Sequence, residues 1–193
     1  MKYLEEKIKK NGQILPGDIL KVDSFLNHQI EVEAVDEIGK EFARLFSDIK
    51  PNKILTIEAS GIAMAYSTAK HMSNQLIVFA KKNRAANMSG NVYEAKERSY
   101  TRGVEYTIQV SKEYLNENDK VLIIDDFLAN GEAMNALIEI CKQAKAEVLA
   151  VGAVIGKMYQ PGYERIKKLC PRVEVLAKVK SMDDNGGIEF CVD

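Results

Sequence analysis

The sequence predicts an α/β protein built on a parallel sheet with helices on both faces. Continuous apolar runs recur at KILTI (53–57), QLIVFA (75–80), VLIID (121–125) and AEVLAVGAVIG (146–156). Stretches of helical periodicity separate them, the pattern of strands buried on both faces. The length, 193 residues, is enough for one domain with a well-buried core.

In order, Leu4 and Ile8 stand four apart and predict a short helix over 2–11, ended by Gly12. ILPGDILKVDSFLNHQI is apolar yet loop-like, with Pro16-Gly17 as a turn. Val35, Ile38, Phe42, Leu45 and Phe46 share one face and predict a helix over 35–46. After the strand at 53–57, SGIAMAYSTAKHM (60–72) predicts a helix capped by Ser60, and the strand at 75–80 follows. Residues 81–104 are polar and basic; with the weak alternation of VEYTIQVS (104–111) they predict a long exposed excursion or a loose hairpin. The rhythm resumes with a strand at 121–125, a helix at 131–144 and strands at 146–156, 172–179 and 188–192.

Lys plus Arg total 27 and Asp plus Glu 28, a net charge of -1. Neither a nucleic-acid partner nor a disordered acidic chain is expected. Cys141, Cys170 and Cys191 lie far apart and show no C-x-x-C spacing, which argues against a zinc site or disulfide framework and for a reducing, cytoplasmic compartment. The charged N-terminus lacks the apolar core of a signal peptide, and no stretch approaches the length of a membrane span.

VLIIDDFLANGEAM (121–134) is the most informative stretch. Ligands of open α/β sheets bind beyond the carboxyl ends of the strands, where Asp125 and Asp126 fall. Burying unpaired carboxylates costs several kcal/mol, so the pair is expected at the rim with at least one member facing a ligand. The small residues that follow open a helix whose free N–H groups favour an anion by roughly 0.3–1 kcal/mol per charge. Carboxylates beside an anion-binding helix start suit a sugar phosphate. The Asp pair alone is equally compatible with an ordinary strand-end turn; the full pattern is more specific. It is neither a Walker loop nor a dinucleotide fingerprint. A second small-residue helix start, Ala59, Ser60 and Gly61, follows another strand, and the two together favour a ligand with two phosphate groups.

VLIIDDFLANG resembles the ribose-phosphate signature of the type I phosphoribosyltransferases. VDSFLNHQI (22–30), TIEASGIA (56–63) and GKMYQPG (156–162) are similar to the branch of that family that acts on xanthine. The resemblance spans nearly the whole chain and is weakest over 83–111. It implies a type I phosphoribosyltransferase fold in a single domain, with a core of about 35–155, a small hood from about 1–34 and 156–193, and a flap of about 82–105. Two departures stand out. Asn130 and Ala133 replace the usual threonines, and Ala133 offers only its backbone N–H.

By this resemblance Asp125 and Asp126 hold the ribose hydroxyls and Lys81 meets the diphosphate. Ala129, Asn130, Gly131, Glu132 and Ala133 cradle the 5'-phosphate, and the amides of Ala59, Ser60 and Gly61 meet the diphosphate. Leu20, Asn27, Lys157 and Phe127 would form the xanthine site, with His28 packing in the hood. Arg84, Tyr93, Arg98 and Tyr106 are candidate flap contacts.

The implied reaction joins xanthine to the phosphoribosyl group of 5-phosphoribosyl 1-diphosphate. Mg2+ would be carried mainly by the substrate, without direct side-chain ligation. With Ala129 where related enzymes carry Asp, no side chain stands out as base for the purine proton; a ready-ionised xanthine lessens that need. A symmetric homodimer is implied as well. Two other readings stay open: guanine or hypoxanthine specificity, and a non-catalytic regulator that senses phosphoribosyl diphosphate. The regulator is disfavoured because only about 50 residues precede the first core strand and the charge is near neutral.

Overall fold

The computed structural model describes residues 1–82, 91–99, 104–183 and 185–192, with the side chains of 97–99 and 104–105 excepted. The chain runs through α1 (Lys2–Asn11), β1 (Gln13–Leu15), β2 (Ile19–Lys21) and a π-helical turn (Asp23–Asn27). Next come α2 (Val32–Leu45), β3 (Lys53–Ile57), α3 (Gly61–His71), β4 (Leu76–Lys82), β5 (Val92–Ser99) and β6 (Val104–Ser111). It ends with β7 (Lys120–Leu128), α4 (Glu132–Ala144), β8 (Glu147–Lys157), α5 (Gly162–Leu169), β9 (Val173–Met182) and β10 (Ile188–Phe190).

One sheet has the order β10-β9-β8-β7-β3-β4-β6-β5. The five central strands, β9 to β4, are parallel, and the edges are antiparallel. Strand periodicity sorts the core into two layers. Leu122 and Ile124 of β7 join Leu4, Ile8, Ile38, Phe42 and Met64 from α1, α2 and α3 on one face. Val121 and Ile123 join Met134, Leu137, Cys141 and Ile166 from α4 and α5 on the other. Each large side chain fully buried this way contributes about 1.5–3 kcal/mol. Among the described residues no helix is long and apolar enough to cross a membrane. All three cysteines are free thiols, with Cys141 and Cys170 buried.

Several elements differ from the sequence reading. β7 runs two residues past the Asp pair, because Phe127 and Leu128 go on pairing with Ile155 and Gly156. The stretch at 92–99 is a regular strand, in register with β6 from Val92↔Ser111 to Ser99↔Val104. α5 lay hidden in a charged stretch with one fully buried anchor, Ile166. Pro16-Gly17 does turn the chain, but between two paired strands. Ser60 stands at the cap position of α3 without a side-chain capping bond. His28 is exposed and does not pack in the interior.

Candidate active site

The carboxyl ends of β3, β7 and β8 converge on one rim of the sheet. β7 brings Asp125 and Asp126 there. Both stand at the rim as expected, but Asp125 is buried at 3% exposure, while Asp126 is half-buried. Asp125 Oδ1 accepts the backbone N–H of Asp126 at 3.0 Å. Burial, reinforced by the neighbouring Asp126 charge, pushes the Asp125 carboxyl well above the usual carboxylate range.

α3 begins against this carboxyl. A Cβ at Gly61 would collide with Thr56 Oγ1 and stand 3.0 Å from Asp125 Oδ1, so glycine is what lets the helix start approach so closely. The preceding residues, Glu58 to Ser60, form the turn at the end of β3, and the Glu58–Ala59 peptide is cis. Glu58 Oε1 accepts the backbone N–H of Lys82 at 2.6 Å, which ties this turn to the end of β4.

The second helix start follows β7. Gly131 has φ +81°, a left-handed conformation that other residues adopt only at a cost, and it turns the chain into α4. The turn is braced from behind: Gly162 N donates to Ala129 O at 3.0 Å, and a Cβ at 162 would run into that carbonyl. The Glu132 carboxylate is drawn aside by Arg165, Oε1 to Nη1 2.5 Å. The backbone amides of 129–133 are thereby the groups left to meet an anion.

The two lysines at the end of β4 separate. Lys81 lines a cavity of about 930 Å³ with Lys53, Leu76, Phe79, Gln109 and Tyr114. The ammonium of Lys82 is the one whose field reaches Asp125 and partly offsets the shift of its carboxyl. Tyr106 lies beneath Lys82, with Nζ 5.9 Å from the ring centroid, and Tyr93 lies beneath Lys112. Arg84 and the Arg98 side chain fall outside the described residues, as does much of the expected flap.

The N-terminal segment meets the same rim. Asn27 Nδ2 donates to Asp126 Oδ2 at 3.2 Å. Leu20 is buried, Phe127 is half-buried against the core, and Lys157 closes β8 at 8% exposure. Lys157 Nζ donates to Asp18 O, 139 residues earlier. The sequence reading overlooked Asp18, Gly162, Arg165 and Glu58. Only Gly162 carried a signal, as the glycine of QPG at a helix start.

Residues 21–192 match the phosphoribosyl transferase domain family. The chain belongs to the phosphoribosyltransferases. It is 48% identical over 185 residues to the xanthine phosphoribosyltransferase of Clostridium tetani, covering 96% of this chain and 97% of that one. The xanthine phosphoribosyltransferase of Limosilactobacillus reuteri is 46% identical over 193 residues, with both chains covered in full. Among solved phosphoribosyltransferases, adenine phosphoribosyltransferase from Rhodothermus marinus superposes with a TM-score of 0.73 at 19% identity, covering 91% of this chain and 98% of that one. At that identity the likeness concerns the fold. Giardia lamblia APRTase, complexed with 9-deazaadenine, gives 0.66 at 26% identity over 75% of this chain and 78% of that one.

Proposed function

We propose that this phosphoribosyltransferase moves the 5-phosphoribosyl group of 5-phosphoribosyl 1-diphosphate onto N9 of xanthine, giving xanthosine 5'-monophosphate and diphosphate in purine salvage. The observation that carries the reading is the junction of three parts at one rim: a carboxylate pair, two amide-rich helix starts and an N-terminal segment bonded to the pair. The xanthine phosphoribosyltransferase name of relatives at 46–50% identity supports the choice of base.

The ribose hydroxyls meet Asp126 and Asp125, the 5'-phosphate meets the amides of 129–133, and the diphosphate meets those of 59–61. As the bond to diphosphate breaks, positive charge grows on the ribose. Asp125 and Asp126 set the field of their carboxyl groups beside that charge. The attraction therefore strengthens toward the transition state, which is the condition for catalysis. Lys82, the ammonium whose field reaches Asp125, favours the departing anion, whereas Lys81 lines the cavity with Lys53 and Tyr114. Asn27, with both donor and acceptor, reads the oxo edge of the purine; Lys157 donates to the ring; Leu20 and Phe127 pack on it.

Mg2+ suits the oxygen-rich donor. Among the described residues no three acidic, His or Cys side chains gather into a metal cluster. The ion would be held chiefly by the diphosphate and ribose, with Asp125 and Asp126 as the carboxyl groups at the same rim, and would neutralise leaving-group charge. A cytoplasmic homodimer completes the reading. Exposed Leu76, Phe79 and Tyr114 offer an apolar surface suited to a second copy.

A competition assay tests the function: xanthine, guanine, hypoxanthine and adenine with the diphosphate donor and Mg2+, compared by kcat/KM. Xanthine is expected to lead. Preference for guanine or hypoxanthine would overturn the base assignment, and absence of turnover would overturn the enzyme.

A further inference from the structure

The segment 13–27 is fastened to the sheet rim at two points. Asn27 bonds Asp126 at one end. At the other stands Asp18, at the tip of the β1–β2 hairpin in a left-handed conformation (φ +63°). All its side-chain partners lie on one short piece of chain, where β8 leaves the sheet. Tyr159 OH donates to Asp18 Oδ1 at 2.5 Å, and Gln160 Nε2 donates to Oδ2. Lys157 Nζ donates to the Asp18 carbonyl and stands 3.5 Å from Oδ2. Leu20 lies between the two fasteners.

We propose that Asp18 is a positioning residue for purine recognition: it holds the Lys157 ammonium at the rim of the base pocket and fixes the 157–160 segment beneath it. This rests on the reading of Lys157 as a base contact. A lysine carries its charge on a flexible four-carbon stem, and one buried to 8% needs counter-charge and acceptors to offset lost solvation. Asp18 supplies both. An ammonium has three donors, and the Asp18 carbonyl takes one; Oδ2 at 3.5 Å acts as counter-charge. Donors thus stay available for a ring atom. The tether also explains why a hairpin of only three residues per strand has a fixed place over the rim.

The test is a double-mutant cycle on the full chain, read by steady-state kinetics. Asp18→Asn keeps the size of the side chain, and Asn tolerates the left-handed backbone, so the change is loss of the charge and replacement of one acceptor oxygen by an NH2 donor. KM for xanthine is expected to rise on the order of ten-fold in Asp18→Asn, with KM for the diphosphate donor unchanged. Asp18→Asn/Lys157→Ala is expected to match Lys157→Ala alone, because Asp18 acts through Lys157. Multiplying effects in the double variant would overturn the proposal. So would an unchanged xanthine KM in Asp18→Asn while Lys157→Ala raises it. If Lys157→Ala itself leaves xanthine KM unchanged, the base assignment of Lys157 falls and takes the Asp18 role with it.

Discussion

The amide of Asn27 stands 3.2 Å from Asp126 Oδ2, so the segment expected to read the base is bonded to a carboxylate expected to hold the ribose. A ligand bridging both must share that contact. Asn27 is exposed, and its loss leaves no buried group stranded. Asn27→Ala is expected to raise KM for xanthine roughly 2- to 12-fold, the range of one ordinary hydrogen bond, with little change in melting temperature. Steady-state kinetics with each substrate varied in turn, beside a thermal melt, checks this.

Asp125 should exchange stability for activity. Its folded-state pKa lies above the unfolded value of about 3.9. The protonated carboxyl therefore favours the fold, and that contribution is lost as pH rises toward the folded-state value. Asp125→Asn mimics the protonated form. Its Tm is expected to match the wild type near pH 4 and to exceed it at pH 8, by about 2–4 °C for each kcal/mol relieved. The same variant is expected to lose about 100-fold or more in kcat/KM. Scanning calorimetry across pH and initial rates measure the two effects.

Much of this arrangement was legible in the sequence. KILTI marked β3 with both ends in place, and the run to Asp125 with the turn at Gly131 marked the rim. β7 was cut short because two adjacent charges read as a strand end. Inside the fold, Asp125 is buried with its carboxyl held above the usual range, and Phe127 and Leu128 continue the pairing. β5 was hidden because Ala95 is its one buried residue among those described. Asp18 could not be seen at all: its partners are 139 to 142 residues away, and nothing local distinguishes it from a turn aspartate.

Gly162 should matter to the phosphate turn although it lies outside the motif. A methyl group there would run into Ala129 O and come within 2.7 Å of Gly131 N. Gly162→Ala is expected to cost about 1–3 kcal/mol of stability through overpacking. KM for the diphosphate donor is expected to rise several-fold, with KM for xanthine unaffected. Urea titration and donor kinetics provide the readouts.

Away from the site, Asp36 ties α2 to α3. Its Oδ1 lies 2.8 Å from His71 Nε2 and 3.1 Å from Lys70 Nζ, and its Oδ2 lies 2.9 Å from Lys40 Nζ. The His71 hydrogen bond first, then those of Lys40 and Lys70, hold the Asp36 carboxyl well below the usual carboxylate range. Stability from this cluster is present above the unfolded pKa of about 3.9 and is lost as pH falls toward the folded-state value. Asp36→Asn is expected to melt below the wild type at pH 7. The gap should narrow steadily below about pH 4 and shrink in high salt.

The central claim is the pentose phosphate site at the ends of β3 and β7, and a crystal structure with ribose 5-phosphate tests it most directly. The account expects the ribose hydroxyls against Asp125 and Asp126 and the phosphate on the amides of residues 129–133. A ligand found instead in the cavity between Lys53, Phe79 and Tyr114, with the 125–133 rim empty, would contradict it.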